Sequence, residues 1–173
     1  MPGFAVVDAA VLAIGTAACV TDFRSRRIPN VLTFGASAAA VVFGAVTGGL
    51  TGLGWSLAGW VVGCAVFLPW FLLGGMGAGD VKLLAALGAW AGPSMAVWMA
   101  LYAGLAGGVF AVIVSLWRGY LAEMFRNVWS LLMFWRIVGI QPHPEMTLRT
   151  GRGPRLPYAF PITVGAVAVL WLK

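Results

Sequence analysis

Charged residues are scarce in this chain. Only 9% of its 173 residues are Asp, Glu, Lys or Arg, whereas 61% are hydrophobic, and the mean hydropathy is +0.95. Because soluble domains carry about 25% charged residues, this composition excludes an ordinary soluble fold and predicts an integral membrane protein. The length allows about six spans of roughly 20 residues with short loops, so we expect one membrane domain over residues 1–173.

Residues that bind metals or form disulfides are also few. His143 is the single histidine, and the two cysteines, Cys19 and Cys64, lie inside apolar runs without CxxC spacing. We interpret both cysteines as small hydrophobic residues. His143 has no second ligand near it in the sequence, which argues against a metal or general-base role. No metal and no organic cofactor is therefore expected.

Basic residues outnumber acidic ones by eleven to five. Ten of the eleven lie in a few short segments between apolar runs, a pattern typical of membrane topology and not of a nucleic-acid-binding surface. With the N-terminus outside, alternate crossings place these ten on the cytoplasmic side and leave only Lys173 outside. The ten are Arg24, Arg26, Arg27, Lys82, Arg118, Arg126, Arg136, Arg149, Arg152 and Arg155.

Six apolar runs are predicted to form spans. They cover about residues 4–20, 31–47, 55–73, 81–91, 95–117 and 158–172. The first run has no basic residue before it and three arginines soon after it, the reverse of the charge order in a secretory signal peptide, so it is expected to remain as a span. The chain is thus predicted to be an all-α polytopic membrane protein without an internal repeat.

The segment 120–140 has a mixed character. Hydrophobic residues recur there at mostly helical spacing, and Glu123, Arg126 and Arg136 interrupt them. We interpret it as an amphipathic helix at the membrane interface, and the alternatives are a buried core helix or a short extra span. The following residues 141–157 are rich in Pro, Gly and Arg and are predicted to form a cytoplasmic loop that can move.

Two aspartates lie beside apolar runs at the same predicted depth. Asp22 follows the first span and Asp80 precedes the fourth, so both face the cytoplasmic side. Acids near the hydrocarbon region are costly and usually line a protein interior or a water-filled cavity, where they serve the function. Two carboxylates that approach each other in a low dielectric do not readily both ionise, which leaves one acid and one base. Such a pair can activate water for attack on a peptide carbonyl and protonate the leaving amine.

Residues around the two aspartates are candidates for supporting roles. Gly77 and Gly79 are expected to adopt tight or positive-φ conformations and to let an extended substrate approach closely. Four basic side chains are expected to attract an acidic or headgroup-proximal segment of a substrate: Arg24, Arg26, Arg27 and Lys82.

From the residues alone, simpler roles for the acids stay open. Asp80 is well placed as the N-cap of a helix that starts at Val81, and Asp22 can be the surface partner of a nearby arginine. Asp8, near the outer end of the first span, is interpreted as an interfacial residue. The alternative functions are a small proton-coupled transporter or channel and a noncatalytic assembly subunit. Transport sites usually lie near the midplane, which argues against the transporter.

The segments TDFRSRRIPN and GAGDVK, residues 21–30 and 77–82, together resemble the type IV prepilin peptidases in order, spacing and membrane side. The sequence PYAFP at 157–161 is similar to the start of the family's last span. The resemblance implies that Asp22 and Asp80 are the catalytic pair of a GxGD-type membrane aspartyl protease. It implies supporting or substrate-binding roles for Gly77, Gly79, Lys82, Arg24, Arg27, Pro29 and Asn30.

The resemblance also implies a substrate and a location. Such enzymes remove the leader peptide from prepilins or related pseudopilins at the cytoplasmic face of the bacterial inner membrane. The short chain is most similar to the peptidases of tight-adherence (Flp) pili, and the archaeal preflagellin enzymes are the other compact class. It starts directly at a span and lacks the paired cysteines of larger members, so methyltransferase activity is not expected. The expected partners are prepilins and membrane lipid, and the oligomeric state is left open.

Overall fold

A computed structural model describes residues 2–144, 146–147 and 156–172 as helices joined by short turns, with no strand in these ranges. The all-α prediction is confirmed. The helices are α1 (Pro2–Ser25), α2 (Asn30–Leu72), α3 (Ala78–Ala91), α4 (Pro93–Trp117), α5 (Leu121–Val138) and α6 (Ala159–Leu172). Among them, α1, α2 and α4 are long and apolar enough to cross a membrane.

Helix α2 is a hairpin and not one rod of 43 residues. Gly49 has φ 58° and ψ −142°, a conformation that glycine adopts without the penalty of a Cβ. Gly44 and Gly52 lie backbone to backbone on either side of it, although eight residues of a continuous helix would separate them by roughly 12 Å. The chain therefore reverses at Gly49 into a first arm, 30–48, and a second arm, 50–72. These arms correspond to the second and third predicted spans.

With this hairpin the bundle contains the six apolar helices that the hydrophobic runs predict. Helices α3 and α6 have 14 residues each, so they are roughly 21 Å long and shorter than the ~30 Å hydrocarbon core. The fourth predicted run and α3 both end at Ala91, because Gly92, with φ 92°, ends α3 and Pro93 begins α4.

Helix α3 lies at the centre of the bundle. Its residues 83–89 are all buried, and it contacts α1, α2, α4 and α6. The second arm of α2 crosses it in backbone contact, with Gly59 against Gly88 and Gly63 against the carbonyl of Leu84. The Ser56 hydroxyl donates a hydrogen bond to the Ala89 carbonyl, 2.9 Å away. Small residues allow this approach, which supplies the close packing that holds membrane helices together.

Helix α6 is wedged between α1 and α4. Its Gly165 fits against the backbone of α4 at Met99 and Ala103. On the other side, the Thr163 hydroxyl lies 3.1 Å from the carbonyl oxygen of Gly15 in α1. These two contacts hold α6 between α1 and α4.

Helix α5 lies outside the bundle. None of its residues is buried, and among the helices it contacts α4, where the Ser115 hydroxyl lies 3.2 Å from the Met124 sulfur. Its exposed face carries Phe125, Val128, Trp129 and Leu132. The alternative of a buried core helix is therefore wrong, whereas the interfacial location stays a prediction.

Part of the predicted 141–157 loop is described. Thr147 lies against Gly74, in the turn between α2 and α3. Glu145 and residues 148–155, with Arg149, Arg152 and Arg155, lie outside the described residues, as does Lys173.

The crossing of α2 and α3 gives a stability prediction. Gly59→Ala would drive a Cβ into the backbone of Gly88, so we expect it to destabilise the protein by about 1–3 kcal/mol. Gly54→Ala, in the same arm, is the matched control because open space surrounds that position, and it should leave stability equal or slightly higher. Thermal unfolding in detergent measures both variants, and equal midpoints for Gly59→Ala and Gly54→Ala would contradict the close crossing.

Candidate active site

Asp22 lies in the last turns of α1 and is buried, with 7% of its surface exposed. Its Oδ2 accepts a hydrogen bond from the backbone N–H of Ala159, 3.2 Å away, at the first residue of α6. The first N–H groups of a helix lack internal partners and favour a carboxylate. Asp22 therefore joins α1 to α6. Its burial contradicts the alternative of a solvent-exposed partner for an arginine.

The chain turns sharply after Asp22. Arg26 adopts a left-handed conformation, with φ 53°, and this ends α1. Ile28 precedes a proline, which disfavours helical conformation, and Pro29 is the extended N-cap of α2. Ile28 is thereby brought against Gly79 in the first turn of α3.

Asp80 lies in that same first turn of α3. Its Oδ2 accepts a hydrogen bond from the backbone N–H of Gly77 at 3.1 Å. Gly77 is the N-cap and α3 begins at Ala78, so the alternative in which Asp80 itself caps a helix starting at Val81 is wrong. The carboxylate acts from the third helical position, as the acidic partner does in a capping box.

The two glycines of this motif do not have positive φ. Gly77 is extended, with φ −80° and ψ 148°, and Gly79 is helical. The sequence allowed tight or positive-φ conformations at these positions, and neither glycine adopts the positive-φ alternative. Both positions leave little room for a side chain. A Cβ on Gly77 would lie 3.0 Å from the Asp80 carboxylate, and one on Gly79 would lie 3.2 Å from Ile28.

The two carboxylates belong to one site. Asp80 is close enough to Asp22 and to Tyr158 for direct electrostatic interaction. Their shared location follows from the contacts already described, since Ile28 brings the end of α1 to the start of α3 and Ala159 brings the start of α6 to Asp22. The site therefore lies at one end of the bundle, where α1, α3 and α6 meet.

Lys82 and Asn30 stabilise the rim of this site. The Lys82 ammonium donates a hydrogen bond to Asn30 Oδ1 at 2.9 Å and lies 5.1 Å from the ring centroid of Phe34. This pair ties the start of α3 to the start of α2. Arg24 and Arg27 are exposed beside the site, as is Pro29.

Tyr158 is a site residue that sequence reasoning missed. Its ring packs edge-on against Phe67 of α2, with ring centroids 6.4 Å apart, and its hydroxyl end lies against Gly107 of α4. The segment PYAFP, which has an aromatic residue after a proline at the start of a span, was the sequence feature that pointed to Tyr158. The donor on Ala159 had no such signal, because every residue except proline carries a backbone N–H.

The chemistry available at this site is proton transfer by carboxylic acids. Among the described residues, no group of three or more His, Cys, Asp or Glu side chains comes together to hold a metal ion. His143 instead packs its ring against Phe134 of α5, with centroids 4.7 Å apart. Asp8 lies 14 residues before Asp22 in the same helix, roughly 21 Å away along its axis, and is not part of the site.

Comparison with known proteins identifies one matching family. A family model described as the type IV leader peptidase family matches residues 9–112, more than half of the chain and the part that contains both aspartates. Searches of curated proteins and of solved structures found no match.

The bond between Asp22 and α6 can be tested by stability alone. Asp22→Asn keeps an oxygen that accepts from the Ala159 N–H, whereas Asp22→Ala leaves this buried donor unpaired at a cost of about 1–3 kcal/mol. We therefore expect a lower thermal midpoint for Asp22→Ala than for Asp22→Asn in detergent. An Asp22→Ala variant as stable as Asp22→Asn would show that the contact does not hold α6.

Proposed function

The chain belongs to the type IV leader peptidase family, and on that premise we propose that it is a membrane aspartyl endopeptidase of prepilins. The observation that carries the proposal is the meeting of two aspartates from separate helices, Asp22 of α1 and Asp80 of α3, in one partly buried site. The substrate class that we favour is the Flp type of prepilin.

Each aspartate is held through one oxygen. Asp22 Oδ2 is bonded to Ala159 and Asp80 Oδ2 to Gly77, both through backbone N–H groups. Among the described residues this leaves both Oδ1 atoms for water or substrate. Backbone donors belong to the rigid starts of α6 and α3, so they fix the direction of each carboxylate before substrate arrives, which is the preorganisation that hydrolysis needs.

In the proposed mechanism one carboxylate is ionised and its partner is protonated. The ionised one accepts a proton from water while the water oxygen attacks the scissile carbonyl carbon. The protonated one donates its proton to the carbonyl oxygen. As the tetrahedral intermediate collapses, the carbon–nitrogen bond breaks, the amine takes the proton held by the former base, and the former acid takes back a proton from a hydroxyl group of the intermediate. The net reaction consumes one water and forms a carboxyl group and an amine.

The position of the site at an end of the bundle supports cleavage at a membrane surface. A scissile carbonyl inside a substrate helix is bonded within that helix, so the cut should fall where the substrate leaves its apolar helix and becomes extended. We assign this surface to the cytoplasm because Arg24, Arg27 and Lys82 cluster at that end, and because Arg118 follows α4 there. A transporter is disfavoured, since its polar site would be expected near the middle of the helices.

The experiment that tests the proposal replaces each acid by its amide. Asp22→Asn and Asp80→Asn should each lower the rate of leader cleavage by at least about a hundredfold, because general acid–base catalysis contributes 10²–10⁴-fold. Each variant would be produced together with a Flp-type prepilin, and processing read by gel shift and N-terminal sequencing of the pilin.

Asp8→Asn is the matched control. It makes the same change on the same helix outside the site and should cleave like the native protein. Native-like processing by either Asp22→Asn or Asp80→Asn would contradict the paired-acid mechanism, and processing by no protein, the native one included, would contradict the substrate assignment.

A further inference from the structure

A groove of about 630 Å³ runs along the bundle between α1 and the first arm of α2. The two helices are joined by only a short turn, yet they diverge and make little contact with each other. The residues that line the groove carry no charge, and half of them are small: Ala10 and Ala13 on α1, and Gly35, Ala36 and Ala39 on α2. Small residues on facing helices let a further helix approach closely.

The floor of the groove is fixed. Trp90 of α3 lies at its base, and the Trp90 indole N–H donates a hydrogen bond to the Ala36 carbonyl oxygen at 3.0 Å. The ring also packs against Phe43, with centroids 5.4 Å apart. Trp90 therefore joins α3 to the first arm of α2 at the base of the groove.

One end of the groove reaches the candidate active site. Pro29 lines that end, and its neighbours on either side already belong to the site. Ile28 packs against Gly79, next to Asp80, and Asn30 accepts the hydrogen bond from Lys82. A chain that lies in the groove would thus leave it beside the two aspartates.

The dimensions suit a helix packed sideways. From Pro29 to Ala39 the first arm rises roughly 15 Å, which corresponds to about ten helical residues. The groove is open to the outside of the bundle, so a helix of about 10 Å diameter would contact it along one side. Its other side would remain in lipid, as expected for a substrate that enters from the plane of the membrane.

We propose that this groove binds the apolar helix of the prepilin, with the start of that helix at Pro29 and the leader junction extending toward Asp22 and Asp80. The inference rests on the proposed function and adds to it the surface that selects a membrane-bound substrate. It makes the bound helix parallel to the first arm of α2. Cleavage then falls just before the docked helix because the groove ends where the aspartates begin.

Gly35→Trp tests the proposal by filling the groove. A side chain at Gly35 meets nothing within 4 Å, so the indole should enter the groove without disturbing the protein's own packing. We expect at least a tenfold lower kcat/KM for full prepilin, through a higher KM, and an unchanged rate for a short peptide that spans the leader junction without the apolar helix. Gly108→Trp on α4 is the matched control, since that position is also exposed and open, and it should cleave both substrates normally.

Photocrosslinking gives a second readout that needs no peptide cleavage. A benzoylphenylalanine at position 35 of the Asp80→Asn protein, which retains uncleaved substrate, should crosslink the apolar helix of the prepilin, and the same group at position 108 should not. Absence of the crosslink at 35, or equal crosslinks at 35 and 108, overturns the proposal, as does normal prepilin cleavage by Gly35→Trp. Native protein that cleaves no prepilin would instead refute the proposed function, and the docking proposal with it.

Discussion

The burial of α3 among the other helices is the constraint on which the structure depends. Lipid gives apolar helices no hydrophobic reason to associate, so contact must come from close backbone approach. Gly59 and Gly63 of α2 supply this approach against α3, and Gly88 supplies it from α3 itself. Because the crossing fixes α3, it also fixes Asp80 at the start of that helix. The same helix holds Trp90, the floor of the α1–α2 groove.

The site forms where helix ends meet. Asp22 comes from the end of α1, Asp80 from the start of α3, and the N–H that holds Asp22 from the start of α6. Helix starts offer unpaired N–H donors, so buried Asp22 and partly buried Asp80 can be oriented without any other polar side chain. This explains how a chain with five acidic residues can build an acidic site inside a nearly uncharged bundle. It also places the site at one end of the bundle.

Much of this arrangement could be predicted from the sequence. The hydrophobic runs predict the helices, and the interruption of these runs around Gly48 and Gly49 separates the two arms of α2. The two aspartates could be paired because alternate crossings give both the same depth. The amphipathic spacing in 120–140 also distinguished α5 from the buried helices, although the location of α5 at the membrane interface stays a prediction.

The parts that could not be predicted depend on tertiary packing. A backbone donor such as the Ala159 N–H has no sequence signature, and its pairing with Asp22 arises only when α6 is wedged beside α1. The helix start at Ala78 was missed because Asp80 suits both the N-cap and the third helical position. The bond between Lys82 and Asn30 joins residues 52 positions apart, and the groove is a space between helices that no local pattern describes.

The most direct test of the central claim is reconstitution of the purified protein with a Flp-type prepilin in liposomes, followed by mass spectrometry of the products. The account predicts two products, the leader and the mature pilin, whose masses sum to the prepilin plus one water, and no reaction with a protein carrying both Asp22→Asn and Asp80→Asn. Intact prepilin in the presence of the folded native protein, or the same two products from the doubly substituted protein, would contradict hydrolysis by the two aspartates.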